Sequence, residues 1–246
     1  MGASEKQQIL SALRSQIMTM EGFRSQGISP VSAGLGPILQ ALPNKTFPVG
    51  AVHEFLSDMM ENSTASIGFA SGIFGHVLGD KGTGVWISHG QRTIYPPGLR
   101  SYGIDPDRII FIDLKNEFDV LWTLNETLKC GAVKAVVGEI RNLPFIISRK
   151  LQLSVEESQC TAFIIRRSQR SNITACVSRW RVSIMPGEAI EDLPGLGYPT
   201  WKVELLKIRN GKPGAWKVCW KNGEFETQAI PGNPNQWYDQ QARKAG

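Results

Sequence analysis

The chain has 246 residues, of which 41% are hydrophobic and 20% charged, and its net charge is +5. A chain of this size and composition can bury the core of one α/β domain with an appendage, so it is not expected to be disordered. No apolar run approaches the roughly 20 residues of a membrane-spanning helix, and we expect a cytoplasmic protein without membrane contacts.

The N-terminal part predicts a helix followed by a linker. Residues 4–23 have the spacing of an amphipathic helix, with apolar side chains at steps of three and four: Ile9, Leu13, Ile17 and Met20. Glycine and proline are frequent from 25 to 48 and indicate an irregular linker. We therefore assign residues 1–48 to an N-terminal helix and linker, where the helix either packs on the domain or docks on a partner.

Strands and helices alternate from residue 49 onward. Predicted strands cover 51–56, 83–88, 108–113, 132–139 and 161–166, and predicted helices cover 65–78, 116–130 and 145–158. Short apolar strands that alternate with helices are typical of a mostly parallel sheet covered on both faces. The fold class is therefore α/β, with a mostly parallel sheet flanked by helices.

The last part of the chain has a different pattern. Alternation of period two predicts a strand over 175–185, and a segment rich in proline and glycine predicts a loop over 186–200. Two further strands are predicted over 201–206 and 216–220. Asn210-Gly211 and Asn222-Gly223 are dipeptides typical of hairpin turns. The domain 49–230 should thus end in an antiparallel β meander, and residues 231–246 should form a flexible tail.

The bridge between the first strand and the first helix stands where a P-loop ATPase has G-x-x-x-x-G-K-[ST]. In that motif the glycines let backbone N–H groups converge on phosphates, and the lysine neutralises them. The glycine and lysine positions are here Ser57, Asn62 and Ser63, and only Thr64 fits the motif. We interpret these four residues as a degenerate phosphate loop.

Two further observations argue against ATP hydrolysis. Asp58 and Glu61 add negative charge where a triphosphate would lie. Gly138 stands where P-loop ATPases have the aspartate that holds Mg²⁺, and Glu139, one position on, should point to the other face of the sheet. We expect no cofactor and no catalytic residue; a residual ATPase would depend on Thr64 and Glu139.

Neither the histidines nor the cysteines have the spacing of a metal site. The three histidines, His53, His76 and His89, are expected to be structural. The cysteines are widely spaced and are expected to be reduced and mostly buried: Cys130, Cys160, Cys176 and Cys219.

Several segments, in one continuous order over about residues 1–230, are similar to RecA-like proteins and more closely to the ImuA family. They are Phe47-Pro-Val-Gly-Ala-Val-His-Glu54, residues 95–108, Gly131-Ala-Val-Lys-Ala-Val-Val-Gly-Glu139, residues 149–158, Trp180-Arg-Val, Gly195-Leu-Gly and Trp201-Lys-Val-Glu-Leu-Leu-Lys207. ImuA proteins are RecA-like accessory proteins of a bacterial mutagenesis cassette.

The resemblance implies a RecA-like fold and a non-catalytic adaptor role in SOS-induced, error-prone translesion DNA synthesis. It implies an ImuB-like Y-family polymerase subunit as a partner, a DnaE-type error-prone polymerase bound directly or through that subunit, and contact with RecA. Two alternatives stay open. One is a residual ATPase that remodels RecA or DNA, and the other is a SulA-like inhibitor of cell division.

Charge and aromatic residues suggest where DNA or partners bind. The net charge is −2 in residues 1–140 and +7 in residues 141–246. Arg166 ends a predicted strand, and Arg167 and Arg170 follow it. All three are candidates for contact with DNA phosphates or an acidic partner, although a solvated loop has the same composition. Trp237 and Tyr238 lie in the polar tail, where they would either anchor a partner or pack back on the domain.

Overall fold

The computed structural model describes residues 34–90, 94–167, 172–190 and 193–230. The predicted helix 4–23, the tail 231–246 and Arg170 lie outside the described residues.

Nine strands of the described residues form one mixed sheet in the order β3-β2-β4-β5-β1-β6-β7-β8-β9. They are β1 Val52–Ser57, β2 Thr83–His89, β3 Ile109–Leu114, β4 Val133–Ile140, β5 Thr161–Arg167, β6 Ser178–Ile190, β7 Leu193–Ile208, β8 Gly214–Lys221 and β9 Glu224–Ala229. The strands from β3 to β6 in this order are parallel, and β6 to β9 are antiparallel. The predicted α/β fold, with its mostly parallel sheet and C-terminal meander, is confirmed.

Helices cover the two faces of the sheet, because each has an apolar side that water would otherwise surround. They are α1 Met60–Leu78, α2 Glu117–Leu128 and α3 Phe145–Ser158. The buried residues of α1 share one core cluster with Trp86, Phe163 and Trp180, whereas those of α2 and α3 share a second cluster with Ile87 and Ile164. None of the described helices is long and apolar enough to cross a membrane.

Local signals set the ends of α2 and α3. The side chain of Asn116 accepts a hydrogen bond from the Phe118 backbone N–H at 3.0 Å and caps α2. Pro144 precedes α3, and Gln159, with a φ of 63°, ends it in the left-handed region. The sequence predicted the bounds of α3 correctly and placed those of α2 within two residues.

The loop predicted over 186–200 is wrong. Strands β6 and β7 continue through this region as an antiparallel hairpin, and the register shifts between Met185 and Glu188. Gly187 lies within the shift, where an added Cβ would come within 2.9 Å of the Tyr198 carbonyl oxygen. The glycine therefore marks a bulge inside paired strands, which sequence composition does not distinguish from a loop.

The predicted turn at Asn222-Gly223 is confirmed and introduces a strand that the sequence did not predict. Both residues have positive φ, 53° and 84°, as a two-residue hairpin turn requires. The turn pairs β8 with β9, and Phe225 of β9 enters the core.

The C-terminal half of the predicted linker packs into the core. Leu35, Ile38 and Phe47 are buried in the cluster that contains α1. The Thr227 hydroxyl of β9 donates a hydrogen bond to the Leu35 carbonyl oxygen at 3.3 Å. Two short 3-10 helices, Gly36–Ala41 and Pro43–Lys45, shape the segment.

A matched pair of isoleucines tests the position of the core. Ile73 of α1 is fully buried, whereas Ile173 is exposed. We expect Ile73→Ala to lower the free energy of unfolding by about 2–5 kcal/mol, because it leaves a cavity. Ile173→Ala should change it by less than about 0.5 kcal/mol. Urea denaturation of both variants measures the difference, and equal losses would contradict the described packing of α1.

Candidate functional site

The start of α1 occupies the position of the predicted phosphate loop. The helix begins at Met60 instead of residue 65, so only Asp58 and Met59 separate it from β1. The Ser63 backbone N–H donates to the Met59 carbonyl oxygen at 3.1 Å. The expected eight-residue loop is therefore wrong: Asn62, Ser63 and Thr64 lie in the helix, and the Ser63 N–H is bonded along the helix.

A buried amide fixes the first turn of α1. The Asn62 amide nitrogen donates to the Asp58 carboxylate at 2.7 Å, and its oxygen accepts the Ile184 backbone N–H at 3.1 Å. Asn62 thereby ties the helix to β6 by groups that a glycine at this position lacks. Carboxylates near a helix N-terminus are also favourable because of the helix dipole, and Asp58 and Glu61 stand there.

A small cleft lies beside this turn, at the carboxyl ends of the parallel strands, where open α/β sheets usually bind ligands. It is lined by Ser63, His89, Glu139, Ile140, Arg141, Ile165 and Arg167. Its volume of about 20 Å³ suffices for about one water molecule. Pockets for small molecules are on the order of 300–1,000 Å³, so the cleft in this conformation is much smaller than a typical small-molecule site.

The two residues assigned to a residual ATPase have different surroundings. One oxygen of Glu139 accepts hydrogen bonds from Trp86 Nε1 at 2.7 Å and from the Ser88 hydroxyl at 3.2 Å. Thr64 is exposed and lies outside the lining of the cleft, whereas Ser63 contributes to it. The structure thus does not bring Thr64 and Glu139 together in this cleft.

The structure places Arg166 inside the protein, unlike the expected contact with DNA. Its side chain is 1% exposed, and its guanidinium forms an ion pair with the Glu54 carboxylate of β1. Alternate residues of a strand point to opposite faces, so Arg166 faces the layer of α2 and α3. Arg167, at the exposed end of β5, borders the cleft. Of the predicted arginines that the structure describes, Arg166 and Arg167, it is the one accessible to a partner.

Arg166 belongs to a buried polar group that sequence reasoning missed, here called the Glu54 cluster: Glu54, Arg166, Thr174 and Arg179. The second oxygen of Glu54 lies 2.7 Å from Arg179 Nε and accepts the Thr174 hydroxyl at 3.0 Å. The Lys207 ammonium donates to the Thr174 carbonyl oxygen at 3.1 Å. The cluster connects β1, β5 and β6 with the segment before β6.

The sequence contains a signal for this cluster. Glu54 interrupts an otherwise apolar buried strand, and a buried carboxylate needs cationic or hydrogen-bonding partners. The same arrangement removes Arg179 from any basic binding face, because its side chain is buried and paired with Glu54. Lys207 stays exposed and contacts the cluster through one hydrogen bond.

His53 is structural, as predicted. Its Nε2 lies 2.7 Å from the Pro48 carbonyl oxygen and its Nδ1 lies 2.6 Å from the Ser178 hydroxyl. A carbonyl only accepts, so Nε2 carries the proton and Nδ1 accepts from Ser178. Burial lowers the pKa of His53 to about 4, although the hydrogen bond to Pro48 opposes the shift.

The cysteines also match a structural role. Cys160, Cys176 and Cys219 are buried, Cys130 is exposed, and all four are free. Burial raises the pKa values of Cys160 and Cys176 to about 12, which leaves their thiols protonated and unreactive near neutral pH. Within the described residues, no group of three His, Cys, Asp or Glu side chains could hold a metal ion. Arg170, Trp237 and Tyr238 lie outside the described residues, and their contacts stay predictions.

Removal of the Glu54 carboxylate should destabilise the fold. Glu54→Ala leaves two buried guanidinium groups without their carboxylate, which should cost about 3–5 kcal/mol of unfolding free energy. The matched control is Glu226→Ala, which removes an exposed carboxylate 3.8 Å from Lys221 and should cost about 0–1 kcal/mol. Urea denaturation compares them; similar values for both variants would contradict the role of the Glu54 cluster.

The buried imidazole of His53 predicts a loss of stability in acid. The unfolded chain takes up this proton below a pKa of 6.5, whereas the folded protein does so only near 4. The free energy of unfolding is therefore not lowered by protonation of His53 above pH 6.5. It falls as pH decreases toward 4, by roughly 3 kcal/mol in total. Denaturation at pH 7 and pH 4 should show a smaller decrease for His53→Gln than for the wild type. Equal decreases would contradict this assignment.

Comparison with known proteins agrees with the resemblance seen in the sequence. No family model matches the chain. The chain is 28% identical over 199 residues to Protein ImuA of Caulobacter vibrioides strain NA1000 / CB15N. The matched residues cover 76% of this chain and 81% of that protein. Protein ImuA of strain ATCC 19089 / CIP 103742 / CB 15 has the same identity and coverage. The resemblance to ImuA is confirmed: the chain is similar to ImuA over about three quarters of its length.

Proposed function

We propose that this chain is an ImuA-type, RecA-like adaptor of a damage-induced mutagenesis system and that it works by binding proteins rather than by hydrolysing ATP. The observation that supports it best is the helical turn at Met60, which replaces the phosphate loop in a chain similar to ImuA. The role in an ImuA/ImuB mutagenesis system comes from this similarity.

The geometry at the start of α1 favours a non-catalytic role. A phosphate loop works through converging backbone N–H groups and a lysine. Here the Ser63 N–H is bonded to Met59, and the Asn62 amide holds the turn against β6. To open this turn for a phosphate, the chain would lose these hydrogen bonds and bring the anion close to Asp58 and Glu61. Like charges within a few ångströms raise the free energy of such a complex.

The partners follow from the same family relationship. We propose an ImuB-like Y-family polymerase subunit as the direct partner and a DnaE-type polymerase, bound directly or through that subunit, as a member of the assembly. RecA is a further proposed partner, and the assembly would act in SOS-induced translesion synthesis in the cytoplasm. The charge of +7 in residues 141–246 supports contact with DNA or an acidic protein surface, with exposed Arg167 as the contact from the described residues.

Complex formation with and without nucleotide tests this function. The purified chain is mixed with the ImuB-like subunit and analysed by size-exclusion chromatography with light scattering. We expect a stable complex whose formation is independent of Mg-ATP, and no ATP turnover by the chain alone, because the bridge lacks the glycines and the lysine of a phosphate loop.

The Thr64→Ala variant is the control for a residual ATPase. Thr64 is exposed, so its truncation should leave both the fold and the complex unchanged. ATP turnover by the wild type that disappears in this variant would favour the ATPase alternative. Failure of the wild type to bind the ImuB-like subunit would contradict the adaptor function.

A further inference from the structure

Large apolar side chains around the first turn of α1 are exposed to solvent. Met59 and Met60 are 56% and 69% exposed, and Ile184 of β6 is 55% exposed. The Asn62 side chain of this turn accepts the Ile184 backbone N–H at 3.1 Å, so the turn and the strand adjoin. Single exposed apolar residues are ordinary, but grouped ones mark an interaction surface. Met59, Met60 and Ile184 are here called the α1-tip patch.

The α1-tip patch lies on the face of the sheet that α1 covers. Trp180 and Val182 of β6 belong to the core cluster of α1, and the pairing of β6 has no register shift from Trp180 to Met185. Ile184 continues this alternation, so its side chain points to the same face.

Residue 34, where the described residues begin, lies close to the α1-tip patch. A Cβ added to Gly34 would come within 2.5 Å of the Phe225 carbonyl oxygen, and Leu35 is buried in the cluster of α1. Phe225 and Ile184 lie beside the two ends of one row of paired residues that crosses the meander: Glu226, Cys219, Thr200 and Met185. Strands β9 and β6 are three strand spacings apart in the sheet, which is roughly 15 Å.

Residues 24–33 are long enough to bridge this distance, since they span up to about 33 Å when extended. The predicted helix 4–23 can thus lie over the α1-tip patch on the face where residue 34 already is. Exposed apolar residues of α2 and α3, such as Phe118, lie on the opposite face of the sheet. To reach them, the linker would have to pass around the β9 edge, so its position favours the α1-tip patch.

Residues 4–23 also match the α1-tip patch in apolarity and charge. A helix of this kind gains most of its stability by packing its apolar stripe on another surface. Arg14 is the only charged residue between positions 7 and 20. The charged residues next to Met59 and Met60 are Asp58 and Glu61, and both are exposed. The middle of the predicted helix and the border of the patch therefore carry opposite charges, which favours their contact.

We propose that residues 4–23 form a helix that packs its apolar stripe on the α1-tip patch of the same chain. Met60 is the central contact, and Arg14 lies beside Asp58 and Glu61. The helix then covers the place where a P-loop protein binds phosphates. A partner that binds the start of α1 must displace it. The proposal does not depend on the adaptor function.

Limited trypsin digestion of the full chain, followed by mass spectrometry, tests the docking. Arg14 lies inside the proposed helix and Arg24 in the linker. A packed helix must open before a protease cuts it, so in the wild type we expect cleavage after Arg24 to be at least about tenfold faster than after Arg14. Met60→Gln combined with Ile184→Thr removes the apolar contact and should speed cleavage after Arg14 at least about tenfold, without changing cleavage after Arg24.

The matched control is Phe118→Gln combined with Ile146→Thr, which also replaces two exposed apolar residues but on the opposite face of the sheet. It should leave both cleavage rates unchanged, and circular dichroism should show that both double variants are folded. Equal cleavage after Arg14 and Arg24 in the wild type overturns the proposal. So does the same acceleration in the control.

Crosslinking identifies the occupant of the patch. Cys130 is the exposed cysteine, so Cys130→Ser is the background. Leu13→Cys with Met60→Cys, treated with a short bismaleimide, should give a crosslinked monomer. Ser15→Cys with Met60→Cys is the control and should react far less, because residue 15 lies on the opposite side of the predicted helix from residue 13. Equal yields, or crosslinks that join two chains, overturn docking within one chain; the latter assigns the patch to a second copy.

Discussion

The buried carboxylate of Glu54 is the constraint that organises the centre of this sheet. It lies on β1 between β5 and β6 and meets a guanidinium group from each neighbour. A buried charge needs a partner of opposite charge, and an arginine that is paired in the interior is not free to bind another molecule at the surface. The pairing fixes how the parallel part of the sheet joins the meander, and it withdraws Arg166 and Arg179 from any surface role. The basic character of the C-terminal half is therefore less available for binding than its composition indicates.

A second polar contact decides what the end of the sheet can bind. The Asn62 amide bridges Asp58 and the Ile184 backbone, so the first turn of α1 is joined to the meander. In a P-loop protein the same stretch of chain closes around phosphates. Here it closes on another strand of its own sheet. The strand and the helix are thus joined by a turn in which the Asn62 amide and the Ser63 N–H are hydrogen-bonded within the protein.

The sequence predicted the repeating elements better than the details of the site. Helix α3 and the apolar strands were predicted because their periodicity is strong and their ends carry proline or left-handed residues. The start of α1 was missed because the bridge was aligned with a phosphate loop, although it contains no glycine or proline. The backbone hydrogen bond from Ser63 to Met59 and the contacts of Asn62 show that it is helical. Strands β6 and β7 were shortened because glycine in a bulge resembles glycine in a loop. Arg166 was misplaced because its face depends on where β5 ends, and its partner Glu54 is 112 residues away in the chain.

The packing of residues 34–48 has a consequence for how this protein can be divided. Leu35, Ile38 and Phe47 fill the core beside β9, and Gly34 lies so close to Phe225 that a Cβ would come within 2.5 Å of its carbonyl oxygen. A fragment that starts after residue 48 would expose this apolar surface together with the last strand of the sheet. Uncovered strands of that kind recruit other strands and aggregate. Truncations intended to isolate the domain should therefore begin before Gly34.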